Sequence, residues 1–342
     1  MSSAVWSCAL PTPSVPSPRV LRVVERIWAA MLADRRMAGP ILSRALREER
    51  SLGSKERPVA GDLLTGLVRH ERALARLHAD PLQAWLQLAE RGVPDLEDPP
   101  DAYAVATSLP DDLAAEWWAR LGPERAVELA RTLAGRAPVW LRALRAGAEV
   151  PVPHTRFGAA IRLEQRANIH TFPAFQAGAL EVQDLGSQKI AEAAFPGVGA
   201  RVLDLCAGAG GKALTLAALG ARVTAWDVRR GALVELSHRA QRAGLDITVA
   251  EPRGTYDVVL VDAPCSGTGV LRRHPENRWK LRYPLDAQRD LLARARRMAG
   301  TVVYATCALT LRENEEVAGA GTTLWPEPEG SEGYFWAVVG AR

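Results

Sequence analysis

Apolar residues recur every three to four positions between residues 19 and 137, the spacing that places side chains on one face of a helix. The first run shows the pattern with four apolar residues: Val20, Val24, Ile27 and Met31. No run in this region alternates apolar and polar residues with a period of two, as a half-buried strand would. The pattern therefore predicts an all-α region over residues 19–137.

The pattern changes after Pro138. Short strand-like pieces and turns follow, and residues 138–180 are interpreted as a small connecting subdomain. From about residue 181, short apolar runs alternate with loops and helices; the runs are residues 201–205, 222–226, 256–261 and 301–305. This alternation is typical of a doubly wound, mostly parallel sheet. The predicted fold class is α/β for residues 181–342, preceded by an all-α domain.

Composition narrows the class of protein. Of the 342 residues, 48% are hydrophobic. No apolar run approaches the roughly 18 to 20 residues that a membrane span needs, so we expect no membrane association. Four cysteines are too few for a disulfide scaffold, and a cytoplasmic location is expected. Residues 1–18 are rich in Pro and Ser, lack the basic start of a secretory signal, and are interpreted as a disordered tail. The net charge of +4 is compatible with a polyanionic partner without proving one.

A glycine-rich loop follows the strand predicted at residues 201–205. The loop starts at Asp204, and its Gly208, Gly210 and Ala213 fit the dinucleotide pattern G-x-G-x-x-G/A. Ala213 stands where a nucleotide triphosphatase needs Ser or Thr for magnesium, which excludes that class. Asp227 ends the next strand, where a carboxylate can accept hydrogen bonds from ribose hydroxyls. The loop thus predicts an adenosine-bearing cofactor, either NAD(P) or S-adenosylmethionine.

Two cysteines follow the carboxyl ends of the last two apolar strands. Cys265 follows Asp262 by three residues, and Cys307 follows the strand at residues 301–305. If the two strands are neighbours, their thiols can share one pocket. Zinc is not expected, because C-x-x-C spacing and a nearby His pair are lacking. Of the other two cysteines, Cys206 is expected beneath the glycine loop, and Cys8 lies in the tail.

At these residues the chain resembles the RsmB-type RNA cytosine-C5 methyltransferases, which use S-adenosylmethionine. Three segments carry the resemblance: DLCAGAGGK at 204–212, DAPCSGTGVLRRHPENRWK at 262–280 and VYATCALTLRENEE at 303–316. The segments FPAFQAG at 172–178, QDLGSQ at 183–188 and GSEGYFW at 330–336 are similar to the family's lead-in and closing strand. RPVAGDLLTGLVR at 57–69 resembles the NusB-like RNA-binding domain that precedes the 16S rRNA enzymes.

The resemblance implies a Rossmann-like class I methyltransferase fold over residues 181–342 and a NusB-like domain over 19–137. It implies S-adenosyl-L-methionine as cofactor, RNA as partner, and methylation of C5 of a cytosine, with 16S rRNA as the expected RNA. The expected cofactor-binding residues are Cys206, Ala207, Gly208, Ala209, Gly210, Gly211, Lys212, Asp227, Glu251 and Asp262. A monomer without a bound metal is expected.

The chemistry of the family suits the residues present. Cytosine C5 is a poor nucleophile, and attack of a thiolate on C6 makes it reactive, which is covalent catalysis. The resemblance assigns the attack to Cys307 and the breakdown of the adduct to Cys265. It places Asp262 beside N3 of the base, and Lys212 is expected to orient the base or Asp262.

A basic segment follows the first of these cysteines. Residues 271–300 contain nine Lys or Arg residues, with Trp279 and Tyr283 among them. Basic side chains with interleaved aromatics can contact phosphates and stack on bases, although a solvated helix face is the alternative. The predicted RNA-binding residues are Arg272, Arg273, His274, Arg278 and Trp279.

The chain departs from the family at several positions. Ala209 replaces the usual Pro, Ala213 the usual Thr, and Glu251 the usual Asp, and several connecting regions are short. Three other interpretations therefore stay open. An NAD(P) dehydrogenase would use the same loop but leaves both cysteine motifs unexplained. The same methyl transfer could act on tRNA, or the chain could be a trimmed, non-catalytic RNA-binding or ribosome-assembly homologue.

Overall fold

The computed structural model describes residues 16–91 and 102–340. Contacts divide the chain into a helical unit, residues 1–136 with 270–281, and a sheet-containing unit, residues 137–269 with 282–342. The predicted tail lies outside the described residues except for 16–18, and Pro18 already begins the first helix. In the part of the chain that the structure describes, no helix is both long enough and apolar enough to cross a bilayer.

The helical unit contains seven helices among its described residues: α1 Pro18–Ala33, α2 Ala38–Glu48, α3 Glu56–Arg69, α4 Glu71–Leu74, α5 Pro81–Arg91, α6 Ala102–Thr107 and α7 Asp111–Ala134. Ser17 caps α1 by accepting a hydrogen bond from the backbone N–H of Val20. Helix α7 is kinked at Gly122, where φ is +74°, and Pro123 starts its second half. The apolar faces meet in one core, whose fully buried members include Val24, Met31, Leu64 and Leu67.

The helical unit also contains a segment that is distant in sequence. Residues 270–281 belong to it and include a short 3-10 helix, Pro275–Trp279. The guanidinium of Arg278 donates to the backbone oxygens of Val68, at 3.3 Å, and Arg69, at 2.8 Å. These are carbonyls of the last turn of α3, which have no partner within the helix. The sequence pattern predicts this segment within the methyltransferase domain, whereas in the structure it belongs to the helical unit.

The sheet-containing unit starts with a small antiparallel sheet. Its strands are β1 Trp140–Ala143, β2 His154–Phe157, β3 Ala160–Leu163 and β4 Leu180–Val182, in the order β2-β3-β1-β4. Leu141, Ile161 and Leu180 are fully buried and form the centre of a separate small core. This sheet occupies the region predicted to be a connecting subdomain.

A seven-stranded sheet forms the rest of this unit. Its strands are β5 Arg201–Asp204, β6 Arg222–Ala225, β7 Ile247–Val249, β8 Tyr256–Asp262, β9 Ala299–Thr306, β10 Thr322–Leu324 and β11 Tyr334–Gly340. The helices are α8 Pro173–Gln176, α9 Leu185–Ala193, α10 Gly211–Ala218, α11 Arg230–Ala243, α12 Leu285–Arg296 and α13 Glu315–Ala318. The strand order is β10-β11-β9-β8-β5-β6-β7, and the strands from β9 to β7 are parallel. The predicted parallel α/β sheet is confirmed.

Strand β8 shows why the central strands are apolar throughout. Val258 and Leu260 pack into the core on one face of the sheet. Val259 and Val261 pack into the core on the opposite face. Because helices cover both faces, neither face of the strand needs polar side chains. The polar side chains therefore collect where the parallel strands end, which is the edge where such sheets bind ligands.

Candidate active site

The glycine loop joins β5 to α10 at this carboxyl edge. Gly208 has φ of +53° and Gly210 φ of +88°, a region that side chains disfavour. A Cβ at Gly210 would also lie 2.6 Å from the side chain of Leu236. The backbone N–H of Ala207 donates to the backbone oxygen of Trp226, at 3.0 Å, which fastens the loop to the end of β6. The glycines are therefore needed for the shape of the loop itself.

Asp227 follows β6 and holds the loop from the side. Its Oδ2 accepts the N–H of Gly208 at 2.8 Å, and its Oδ1 accepts the N–H of Arg229 at 2.8 Å. The Arg229 guanidinium adds an ion pair at 3.2 Å. Burial alone raises the pKa of this carboxyl, but the bonds from Arg229 and Gly208 outweigh it and lower the pKa. Asp227 is therefore an ionised group at the mouth of the loop.

Asp204 was considered in the sequence only as the start of the loop. Its side chain is 1% exposed, and its Oδ1 has no hydrogen-bond partner in the described parts of the chain. Burial, reinforced by the charge of Asp262 and opposed by Lys212, raises its pKa to about 7. Asp204 is the acidic last residue of an otherwise apolar strand end, and this position was the sequence signal for a functional group.

Replacing Asp204 by Asn should remove a pH dependence of stability. The folded pKa, about 7, lies above the ordinary value of 3.8. Between these pH values the folded state holds a proton that the unfolded state releases, so the free energy of unfolding falls as pH rises. Urea unfolding of wild type and Asp204→Asn at pH 5 and pH 8 should show the wild type losing stability relative to the variant. The exposed Asp246→Asn variant is the control and should behave like the wild type. If the free energy of unfolding changes equally with pH in wild type and Asp204→Asn, the assignment is contradicted.

Lys212 and Asp262 form an ion pair beside the loop. Lys212 lies in the first turn of α10 and is 8% exposed, and its Nζ is 2.6 Å from Oδ2 of Asp262, at the end of β8. Burial lowers the pKa of the lysine, but the charge and hydrogen bond of Asp262 more than offset this and raise it. The site therefore holds a fixed positive charge between the loop and the strand.

Strands β8 and β9 are neighbours, with Asp262 opposite Ala305. The cysteines that follow them are half-buried, and the two Sγ atoms are 3.4 Å apart. The hydrogen bond with Cys307 and burial raise the pKa of Cys265 well above its ordinary value. A raised pKa disfavours the thiolate, so Cys265 by itself is a poor nucleophile.

The other expected cofactor residues lie in different surroundings. Cys206 is half-buried in the loop, and burial raises the pKa of its thiol, so it stays a neutral thiol. Ala207 is buried, and Ala209 offers its carbonyl oxygen to Arg239 at 2.6 Å. Glu251 is exposed and follows β7, the outermost parallel strand. The loop and Asp227 form one local structure, while Glu251 shares no hydrogen bond with it among the described residues.

Two of the five residues predicted to contact RNA are buried. Arg272 is 1% exposed and Arg278 is 6% exposed. Trp279 donates from its indole N–H to Glu71 at 2.6 Å, and its ring lies 5.7 Å from that of Trp28. Arg278 and Trp279 hold the segment 270–281 within the helical unit. Arg272 and Arg278 are removed from the solvent that an RNA would occupy, and Trp279 is half-buried.

Two of the predicted RNA-binding residues remain at the surface. His274 is exposed, and Arg273 is half-buried.

Sequence reasoning missed Glu313, a fully buried acid beyond β9 that lies within a run of polar residues. Its neighbours in sequence resemble a solvated helix end, so only its tertiary contacts single it out.

Part of this chain is similar to known proteins. Residues 195–323 match the family described as 16S rRNA methyltransferase RsmB/F. The ribosomal RNA small subunit methyltransferase B of Citrobacter koseri is 32% identical over 244 residues, covering 58% of this chain and 56% of its own length. That of Salmonella arizonae is 35% identical over 218 residues, covering 56% and 50%. The chain thus spans about half the length of the curated relatives it matches.

Two solved structures share the fold. The crystal structure of PH0851 has a TM-score of 0.73 at 18% identity and covers 95% of this chain and 99% of its own. A methyltransferase homologue from Pyrococcus horikoshii has a TM-score of 0.57 at 21% identity and covers 71% and 99%. The expected Rossmann-like methyltransferase fold is confirmed. Residues 195–323 are thus similar to the 16S rRNA methyltransferase RsmB/F family.

Proposed function

We propose that this protein transfers a methyl group from S-adenosylmethionine to C5 of a cytosine in RNA, with 16S rRNA as the substrate. The observation that carries the proposal is the pair of half-buried thiols 3.4 Å apart, one of them with a raised pKa. Thiols that served only to pack the core would have no need to lie at the carboxyl edge of a parallel sheet, where such sheets bind ligands. The matched family and the named relatives support the choice of RNA.

The loop fits the proposed cofactor. Asp204 has a buried Oδ1 without a hydrogen-bond partner in the described ranges, as a site for a polar ligand would have. Asp227 is ionised and at the mouth of the loop, where it can accept from ribose hydroxyls. Gly208 and Gly210 let the backbone approach a ligand closely. When bound, S-adenosylmethionine supplies a methyl group on a positively charged sulfur.

The thiols divide the covalent chemistry. The Cys307 sulfur attacks C6 of the cytosine, forming an S–C6 bond and making C5 nucleophilic. After C5 is methylated, water takes the C5 proton, the electrons of the C5–H bond re-form the C5=C6 double bond, and the S–C6 bond breaks to release Cys307 as a thiolate. Cys265, whose thiol is next to that sulfur, is proposed to assist the release.

The ion pair supports the base during attack. Asp262 is proposed to hold the N3 side of the ring, and Lys212 keeps this carboxylate in place. The Lys212 ammonium also supplies positive charge where negative charge develops on the ring. The base has to leave its stack to reach the pocket, which favours single-stranded or flipped RNA. Arg273 and His274 are proposed as surface contacts to that RNA.

One experiment tests the proposed function directly. Bisulfite sequencing of total RNA from a strain lacking the gene should show loss of one 5-methylcytosine in 16S rRNA, restored by the wild-type gene. Loss of a tRNA position instead would move the substrate to tRNA. An unchanged pattern in all RNA would contradict the proposed activity and favour a non-catalytic binding role.

Replacing Asp227 by Ala should weaken binding of S-adenosylmethionine by about 1 to 3 kcal/mol, the scale of an unpaired polar group in a site. The variant removes the acceptor of the Gly208 N–H and leaves Arg229 without its carboxylate. Isothermal titration calorimetry measures the affinity, with exposed Asp246→Ala as the control. Equal affinities in wild type and Asp227→Ala would remove Asp227 from the cofactor site.

A further inference from the structure

The two cysteine loops are tied together by one buried carboxylate. Glu313 is 0% exposed. Its Oε1 accepts the backbone N–H of Ser266 at 2.7 Å, and its Oε2 accepts the Ser266 hydroxyl at 2.5 Å. Ser266 is the residue after Cys265. The same Oε2 accepts the hydroxyl of Thr310, at 2.8 Å, in the loop that carries Cys307.

A further side chain extends the contact to the strand end. Gln288, on α12, donates from Nε2 to Oε1 of Glu313 at 3.2 Å and to the backbone oxygen of Pro264 at 2.9 Å. Pro264 is the residue before Cys265, so bonds from this cluster lie on both sides of that cysteine. All of these groups donate hydrogen bonds to the Glu313 carboxylate. Its two oxygens can accept all of them.

From these contacts we infer that Glu313 is a positioning residue that holds Cys265 and Cys307 at reacting distance. The inference rests on the proposed function and deepens it. The carboxylate touches neither sulfur and acts through Ser266 and Thr310. A shift of about 1 Å in reacting groups can cost on the order of 100-fold in rate. Loss of the carboxylate therefore should reduce turnover far more than it reduces binding of RNA.

Other bonds between the same loops keep the fold in place without Glu313. The backbone N–H of Gly269 donates to the backbone oxygen of Cys307 at 2.8 Å. The N–H of Leu309 donates to the Thr268 hydroxyl at 2.9 Å. Removing the carboxylate should therefore loosen the loops around the thiols while the strands stay paired. This separates a positioning role from a general role in folding.

Three variants test the inference. Glu313→Ala removes all the bonds. Glu313→Gln has the same shape, and its amide N–H₂ can face the two hydroxyls, because a hydroxyl can accept as well as donate. Ser266→Ala removes only one of the side-chain bonds. The exposed Glu316→Ala, in the same segment, is the matched control.

The first readout measures the thiols without RNA. Dibromobimane links two thiols only when both are within its short reach. After the linked protein is denatured, trypsin releases residues 254–272 joined to 298–312. Wild type, Glu313→Gln and Glu316→Ala should give the joined peptides, Ser266→Ala less, and Glu313→Ala least. Equal yields in wild type and Glu313→Ala would overturn the inference, as would loss of the link in Glu313→Gln.

The second readout is turnover. In Glu313→Ala, kcat should fall on the order of 100-fold with KM for RNA unchanged, and Glu313→Gln should recover most of it. Melting temperatures that fall in parallel with kcat in every variant would instead indicate a merely structural role. If wild type shows no methyl transfer at all, the proposed function fails, while the cross-link still decides the role of Glu313. If Glu313→Ala does not fold, the other two variants carry the test.

Discussion

Replacing Cys307 by Ala should abolish both methyl transfer and every covalent complex between the protein and RNA. The half-buried Cys307 sulfur lies 3.4 Å from that of Cys265, and Cys307 is the thiol proposed to attack C6. Without Cys307 the remaining thiol is that of Cys265, whose pKa burial raises and which is therefore a poor nucleophile. Denaturing gel electrophoresis with labelled RNA should therefore show no shifted band.

Replacing Cys265 by Ala should have the opposite effect on the complex. Attack and methylation proceed through Cys307, but the adduct is released slowly, because the thiol next to the sulfur is missing. A denaturant-resistant complex should accumulate, and the double variant should form none. Cys206, in the glycine loop, has a thiol that burial keeps neutral. Cys206→Ala is therefore the control and should not accumulate a complex. A band in Cys307→Ala with none in Cys265→Ala would reverse the two roles, and no band in any protein with normal methylation would exclude the covalent route.

Removing residues 1–136 should expose the segment 270–281 to protease and lower the activity on RNA to background. Arg278 loses the two carbonyl acceptors at the end of α3, and Trp279 loses its packing and its hydrogen bond to Glu71. A buried guanidinium and indole without partners cost several kcal/mol, so the segment should leave its folded position. The segment begins five residues after Cys265, and its loss of order should reach that loop.

Limited trypsin digestion provides the measurement. The full chain should resist cleavage after Arg272, Arg278 and Lys280, and the truncated chain should be cut there first. The sequence predicts a helical domain over residues 19–137, and the helical unit of the structure also includes residues 270–281. A truncated protein that resists trypsin at these sites and methylates RNA at the full-length rate would show that the helices are a detachable addition.

The sequence by itself determined the elements whose signal is local. The apolar runs at 222–226 and 256–261 became β6 and β8 with ends shifted by at most one residue, because a strand covered on both faces has few polar positions. The glycine loop was equally local, since Gly208 and Gly210 adopt a backbone that other residues disfavour. The acid at the end of β6 was found for the same reason.

Only the tertiary structure decided which distant groups meet. The strand order placed Cys265 and Cys307 3.4 Å apart, although 41 residues lie between them in the chain, and no pattern along the chain states that order. The basic segment predicted to face RNA is buried in part, because backbone carbonyls of the last turn of α3 accept the Arg278 guanidinium. Glu313 is buried within a polar run because donors from Ser266, Thr310 and Gln288 converge on it. A charged residue is buried only where such partners satisfy it, and those partners come from remote parts of the chain.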